Sequence, residues 1–88
     1  MECNIVKTIL KSPHDFPLAI KLAKKINRDI RDYNQAKLLK ENPTYPNPSR
    51  DFQALRKALP DCQLPSADID LYAIVKRLNY SLIIAGNS

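Results

Sequence analysis

Histidine, cysteine and paired carboxylates are the residues of this 88-residue chain that could carry catalysis or bind a metal. His14 is the only histidine, and no partner set for a metal site or a catalytic triad accompanies it. Cys62 follows Asp61, whose negative charge opposes thiolate formation. Asp68 and Asp70 stand two apart on a predicted helix and diverge, so they cannot share a proton. We therefore predict no enzyme activity, no metal, no cofactor and no small-molecule substrate.

A row of cations is the feature that points to a function. Because an α-helix turns by about 100° per residue, the apolar residues between Phe16 and Tyr33 gather on one side of a helix. Asp29 and Asp32 fall at the edge of the opposite side. That side carries five cations, which we call the basic stripe: Lys21, Lys24, Lys25, Arg28 and Arg31. Such a row can meet a phosphate backbone or an acidic protein, or it can be a solvated face without a partner.

Composition limits the class of protein and its partners. Fourteen Lys and Arg residues against nine Asp and Glu residues give a formal charge of +5. An excess of this size suits nucleic acid, an anionic membrane or an acidic protein, although solubility alone can explain it. The chain shows no signal peptide pattern and no apolar run of about 20 residues. Two cysteines, Cys3 and Cys62, are too few for a disulfide framework, so we expect free thiols and a cytoplasmic protein.

The elements that must position these residues are predicted to be mainly helical. One glycine among 88 residues leaves few positions for tight β-turns. We predict a single domain, residues 1–88, of three to four helices with a short C-terminal strand at 80–85. Residues 3–10 fit a helix or a strand, and the paired apolar spacing favours a helix. The alternative is an α+β domain in which strands 3–10 and 80–85 pair.

Proline and capping residues predict the boundaries of the helices. The main helix should begin with Asp15 as its N-cap and run to about Lys40. Residues 41–49 form a Pro-rich internal loop. Ser49 should cap a helix over 50–59, and Ser66 should cap the next helix, for which Asn79 is the predicted C′ residue. The predicted core comprises Phe16, Ile20, Ala23, Ile26, Ile30, Phe52, Leu55, Leu59, Ile69, Leu71, Ile74, Val75, Leu78 and Leu82.

The chain from residue 49 onward resembles the C-terminal half of repressor-type helix-turn-helix domains, including antitoxins. The resemblance is carried by Ser-Arg-Asp-Phe-Gln-Ala-Leu-Arg-Lys-Ala-Leu (49–59), Leu-Pro-Ser (64–66), Ile-Asp-Leu-Tyr-Ala-Ile-Val-Lys-Arg-Leu-Asn (69–79) and Tyr-Ser-Leu-Ile-Ile (80–84). It implies a recognition helix followed by a packing helix. It also implies that four residues of the first of these helices face DNA: Arg50, Gln53, Arg56 and Lys57.

The sequence therefore predicts a small, basic, regulatory binding module that is not an enzyme. The leading hypothesis is a nucleic-acid-binding regulator that uses the basic stripe, with a second set of contacts on residues 50–57. The alternative is an adaptor or inhibitor whose basic face meets an acidic protein. The sequence leaves open the target, the biological process and whether the protein forms a homodimer.

Overall fold

The computed structural model describes residues 4–86, which form four α-helices, a short 3₁₀ helix and no strand. The α-helices are α1 (Ile5–Lys11), α2 (Pro17–Leu38), α3 (Ser49–Ala58) and α4 (Asp68–Ile84), with the 3₁₀ turn at Pro13–Asp15. The predicted mainly helical fold is confirmed. The α+β alternative with strands 3–10 and 80–85 is wrong, since α1 and α4 occupy the described parts of both segments.

Helix α4 continues through Asn79, its predicted C′ residue, to Ile84. Its buried residues, Leu71, Val75, Leu78 and Leu82, keep a spacing of three or four through that point. Leu82 is almost fully buried, and a helix is the structure that places it on the same face as the others. Local β-propensity in residues 80–85 is therefore overridden by packing, and the predicted C-terminal strand is wrong.

The starts of the helices differ from the predicted caps. Phe16, rather than Asp15, is the N-cap of α2, and Pro17 takes the first helical position, where its missing N–H costs nothing. Helices α3 and α4 begin after Pro48 and Ala67 with no side-chain cap. The predicted Ser49 and Ser66 caps are therefore wrong. Only α1 has a side-chain cap among the described helices: Asn4 Oδ1 accepts from the Lys7 N–H at 3.0 Å.

A hydrophobic core lies where α2 packs against α3 and α4 and where α1 packs against α4. Most predicted core positions are buried or packed against the core, but Ile69 is 77% exposed, so its assignment is wrong. The prediction also omitted Ala19 and the apolar side of α1. The buried hydrophobic residues are Ile5, Val6, Ile9, Ala19, Ala23, Ile26, Phe52, Leu55, Leu59, Leu71, Val75, Leu78 and Leu82.

Two polar side chains join elements around this core. The Arg56 guanidinium donates to the carbonyls of Pro65 and Ser66 and to the Asp68 carboxylate, the last at 2.9 Å. It thereby fixes the segment between α3 and α4. Asn79 Nδ2 donates to the Ala23 carbonyl at 3.1 Å and to its own helix at Val75. Asn79 therefore ties α4 to the N-terminal half of α2 rather than ending a helix.

The segment between α3 and α4 also contains Cys62, which is disulfide-bonded. The prediction of a free thiol at this position is wrong. Cys3, the other cysteine of the sequence, lies outside the described residues. Among residues 4–86, no helix combines the length and the apolar character that crossing a bilayer requires.

Candidate cationic interface on helix α2

The basic stripe lies on the side of α2 that faces away from the core. Helix α2 is continuous from Pro17 to Leu38, so one regular backbone positions all five cations. Its opposite side buries Ala19, Ala23 and Ile26. The five cationic side chains are all exposed: Lys21, Lys24, Lys25, Arg28 and Arg31.

Lys25 is the member of the basic stripe that is most engaged within the protein. Its ammonium lies 3.2 Å from the Asp29 carboxylate, one helical turn away, and 2.7 Å from the Asp51 carboxylate on α3. These contacts, led by the hydrogen bond to Asp51, raise the pKa of Lys25 above its ordinary 10.5. Lys25 is therefore charged at neutral pH, and the stabilisation linked to its raised pKa is lost as the pH rises through that pKa. This lysine acts as a link between α2 and α3.

The two arginines of the stripe have weaker neighbours. Arg28 Nε lies 3.6 Å from the Asp29 carboxylate, and Arg31 Nε lies 3.7 Å from that of Asp32. Both arginine side chains are at least 60% exposed, and ion pairs of this kind contribute little to stability. A stronger anion could therefore displace either carboxylate. At 100° per residue, Asp32 lies between Lys21 and Lys25 around the helix, so its predicted place at the edge of the stripe is wrong. The stripe is a mixed surface in which cations outnumber acids.

The four residues of α3 that were predicted to face DNA do not share one environment, since three are exposed and one is mostly buried. Arg50, Gln53 and Lys57 are exposed, and their spacing of three and four puts them on one face of α3. Arg56 is mostly buried, with 24% of its side chain exposed. Because its guanidinium already binds two carbonyls and Asp68, Arg56 positions α4 rather than extending from the surface.

An aromatic pair near the end of α2 was not predicted. Tyr33 and Tyr45 meet edge to face with their ring centroids 5.1 Å apart, and Lys37 Nζ lies 5.6 Å from the Tyr33 ring centroid. Burial, with a smaller contribution from Tyr45, raises the pKa of the nearby Tyr72 hydroxyl. The loop over residues 39–48 brings Tyr45 back to α2, which spacing along the sequence could not show. Its three prolines were the only signal that this loop follows a fixed path.

No group of three His, Cys, Asp or Glu side chains between residues 4 and 86 is arranged to hold a metal ion. Comparison of the chain with protein-family models, curated proteins and solved structures gives no match. The function must therefore be argued from the residues themselves.

Proposed function

We propose that this chain is a small regulatory binding module without enzymatic activity, whose basic stripe binds the phosphate backbone of a nucleic acid. The observation that supports the proposal is the exposure of all five cations on one face of a continuous helix. The net charge of +5 adds a long-range attraction for polyanions.

The length of the stripe suits a few consecutive phosphates. Lys21 and Arg31 are ten positions apart, which corresponds to about 15 Å along a helix at 1.5 Å per residue. Lys25 must leave two carboxylates before it can contact a phosphate, so we expect it to contribute least. The exposed face of Arg50, Gln53 and Lys57 on α3 provides a second set of contacts, as the helix-turn-helix resemblance implies.

Salt dependence tests this proposal. Counterion release gives a slope of log K against log salt of about −0.9 per phosphate contact. With three to four stripe cations engaged, the expected slope is about −3 to −4. Fluorescence anisotropy of a labelled random duplex, titrated at several salt concentrations, measures it. Absence of binding at low salt would contradict the proposal.

A matched pair of variants separates the stripe from net charge. Lys21→Ala with Arg28→Ala removes two cations from the stripe, and we expect the magnitude of the slope to fall by about 2. Lys7→Ala with Lys11→Ala removes two exposed cations from α1 and serves as the control. Equal losses of affinity in the two variants would show that binding depends on overall charge, not on the stripe.

An acidic protein partner is the second candidate, and one observation favours it. Asp29, Asp32 and Asp51 lie among the cations, and a pattern of mixed charge suits a patterned protein surface better than a uniform row of phosphates. Capture of an acidic protein from native lysate that a stripe variant loses, by a protein that does not bind duplex at low salt, would favour this candidate. Sedimentation velocity in the same buffers would count the copies per complex and test the homodimer.

One observation argues against the predicted cytoplasmic location. The bonded state of Cys62 is more typical of oxidising compartments. Fractionation of host cells, with the thiols blocked at lysis, tests location and bonding state together.

A further inference from the structure

The outer side of α4, away from the core, is unusually apolar for an exposed surface. The side chains of Ile69, Tyr80, Ile83 and Ile84 are between 64% and 77% exposed. Ala73, also exposed, lies between the first two on the same side of the helix. We call these five residues the outer stripe. Contiguous exposed apolar residues of this kind mark interaction sites.

The spacing of this surface is that of a helix-pairing seam. Positions 69, 73, 76, 80 and 83 alternate steps of four and three, which is the heptad spacing that fits one helix to another. The middle position is Lys76, and the other four belong to the outer stripe. Ala73 leaves a low point between the larger Ile69 and Tyr80, where a large side chain of a facing helix can insert. Helix α4 has 17 residues, enough for about two heptads of contact.

Cations border the outer stripe on both sides. At 100° per residue, Arg77 lies about 20° beyond Ile84, whereas the backbone of Lys76 falls inside the stripe, between Ile69 and Ile83. Both residues are exposed. The Lys76 ammonium lies 5.3 Å from the ring centroid of Tyr72, which is about 20° beyond Ile83 around the helix. The charge of Lys76 therefore leans to that border, although its backbone is on the seam. A partner that covers the stripe must therefore bring negative charge to both borders.

Charge disfavours a second copy of this chain as that partner. Consider two copies of α4 that pair antiparallel about a two-fold axis, with Ile69 of one copy covered by Ile84 of the other. The axis then passes between Lys76 and Arg77, so these cations meet those of the other copy on both borders. Shifting the pairing to join Asp70 with Arg77 leaves the Tyr80 end of the stripe uncovered. Neither of these two pairings both covers the apolar residues and brings opposite charges together.

We propose that the outer stripe of α4 docks an amphipathic helix of another protein, with apolar residues at heptad spacing and carboxylates on both flanks. The apolar seam supplies the contact area, and the flanking charges select an acidic partner. This site is separate from the basic stripe of α2, and it does not depend on nucleic-acid binding.

Two synthetic peptides test the proposal with defined probes. Both have three heptads with Leu at the seam positions, and the flanking positions carry Glu in one and Lys in the other. We expect the Glu peptide to bind the intact protein at least about tenfold more tightly than the Lys peptide, because flanking charges set partner choice. Fluorescence anisotropy of labelled peptides measures both affinities. Equal binding of the two peptides, or binding of neither, would overturn the proposal.

Variants locate the binding on α4. Lys76→Glu with Arg77→Glu should reverse the preference in favour of the Lys peptide, whereas Lys7→Glu with Lys11→Glu, an equal charge change on α1, should keep it. Tyr80→Ser with Ile84→Ser should abolish binding of the Glu peptide while circular dichroism shows retained helix. Failure of the charge reversal, or unchanged binding by the serine variant, would overturn the proposal.

Two further measurements distinguish the outer stripe from the basic stripe and from a membrane-binding surface. Lys21→Ala with Arg28→Ala should bind the Glu peptide as the unchanged protein does, which separates this site from the proposed nucleic-acid surface. Vesicles of phosphatidylcholine and phosphatidylglycerol test a membrane as the occupant. Co-sedimentation with these vesicles that requires Tyr80 and Ile84, without peptide binding, would assign the stripe to a membrane and overturn the helix-docking proposal.

Discussion

The Arg56 guanidinium joins the end of α3 to the start of α4 through two carbonyls and the Asp68 carboxylate. These contacts are charge-assisted, and the Arg56 side chain that makes them is only 24% exposed, so its removal leaves the part-buried Pro65 carbonyl without this donor. We expect Arg56→Ala to lower the free energy of unfolding by about 1–3 kcal/mol. Urea denaturation measures the change. Arg50→Ala, at an exposed position one helix face away, should change it by less than about 0.5 kcal/mol, and equal effects would refute the structural role.

A substitution at Ile26 tests which face of α2 is buried. It is fully buried between α2 and its neighbours, so Ile26→Ala should lower the free energy of unfolding by about 2–5 kcal/mol through lost contacts and a cavity. Leu38→Ala is the control, since Leu38 is 83% exposed. Thermal and urea denaturation of both variants measure the two changes in stability. A larger loss at Leu38 would mean that the assigned face of α2 is reversed.

At the scale of the element, the end of α2 is closed by a motif that usually contains glycine. The Glu41 N–H donates to the Ala36 carbonyl and the Lys40 N–H to that of Lys37, at 3.0 Å each. This is the Schellman arrangement, and it places Lys40 at a φ of 59°. A side chain there is strained, because the left-handed region brings its Cβ close to the following carbonyl.

Glycine at this position should relieve the strain. We expect Lys40→Gly to raise the free energy of unfolding by about 0.5–1 kcal/mol, after the extra freedom of glycine in the unfolded chain is included. Lys37→Gly, inside α2, should instead lower it by about 1 kcal/mol. Urea denaturation distinguishes the two. A loss of stability in Lys40→Gly would show that this end of the helix is not strained.

Periodicity made the helices, most of the core and the exposure of the basic stripe predictable from the sequence. Alternating steps of three and four report which side of a helix is buried, and that is how Ala23 and Ile26 were assigned correctly. The same reasoning gave Ile69 to the core, because an apolar stripe on the outside of α4 looks in the sequence like a helix that is buried all round. The sequence period shows which residues share an apolar face of a helix. Only the packed structure shows whether another element covers that face.

Contacts between distant segments were not predictable. In the sequence, Asp51 is only a residue of the first turn of a helix. In the fold, it lies on α3 and forms an ion pair with Lys25 of α2. Tyr45 belongs to the Pro-rich loop, yet it packs on Tyr33. Both contacts depend on how residues 39–48 return the chain to α2, which no local pattern encodes. The basic stripe is therefore less cationic in the structure than its sequence suggests, because Asp51 lies beside it. The Tyr33–Tyr45 pair near its end was not predicted.

At the scale of the whole molecule, the bonded state of Cys62 bears on stability and on location. A domain of this size buries a modest core, and a disulfide adds about 2–4 kcal/mol by restricting the unfolded chain. We expect dithiothreitol to lower Tm, and Cys62→Ala to lower it by a similar amount without any further effect of dithiothreitol. Differential scanning fluorimetry measures both shifts.

Thiol titration of the denatured protein completes this prediction. Without reductant the protein should give no thiol, and after reduction it should give both cysteines of the sequence. Two thiols without reductant, together with a Tm that dithiothreitol leaves unchanged, would contradict the bonded state and return the protein to a reducing compartment. If the bond is present in host cells, the partners to be tested must come from an oxidising compartment, where a phosphate backbone is scarce and an acidic protein is the better candidate. The redox state of Cys62 would thereby favour one of the two proposed partners of the basic stripe, and the duplex titration decides between them.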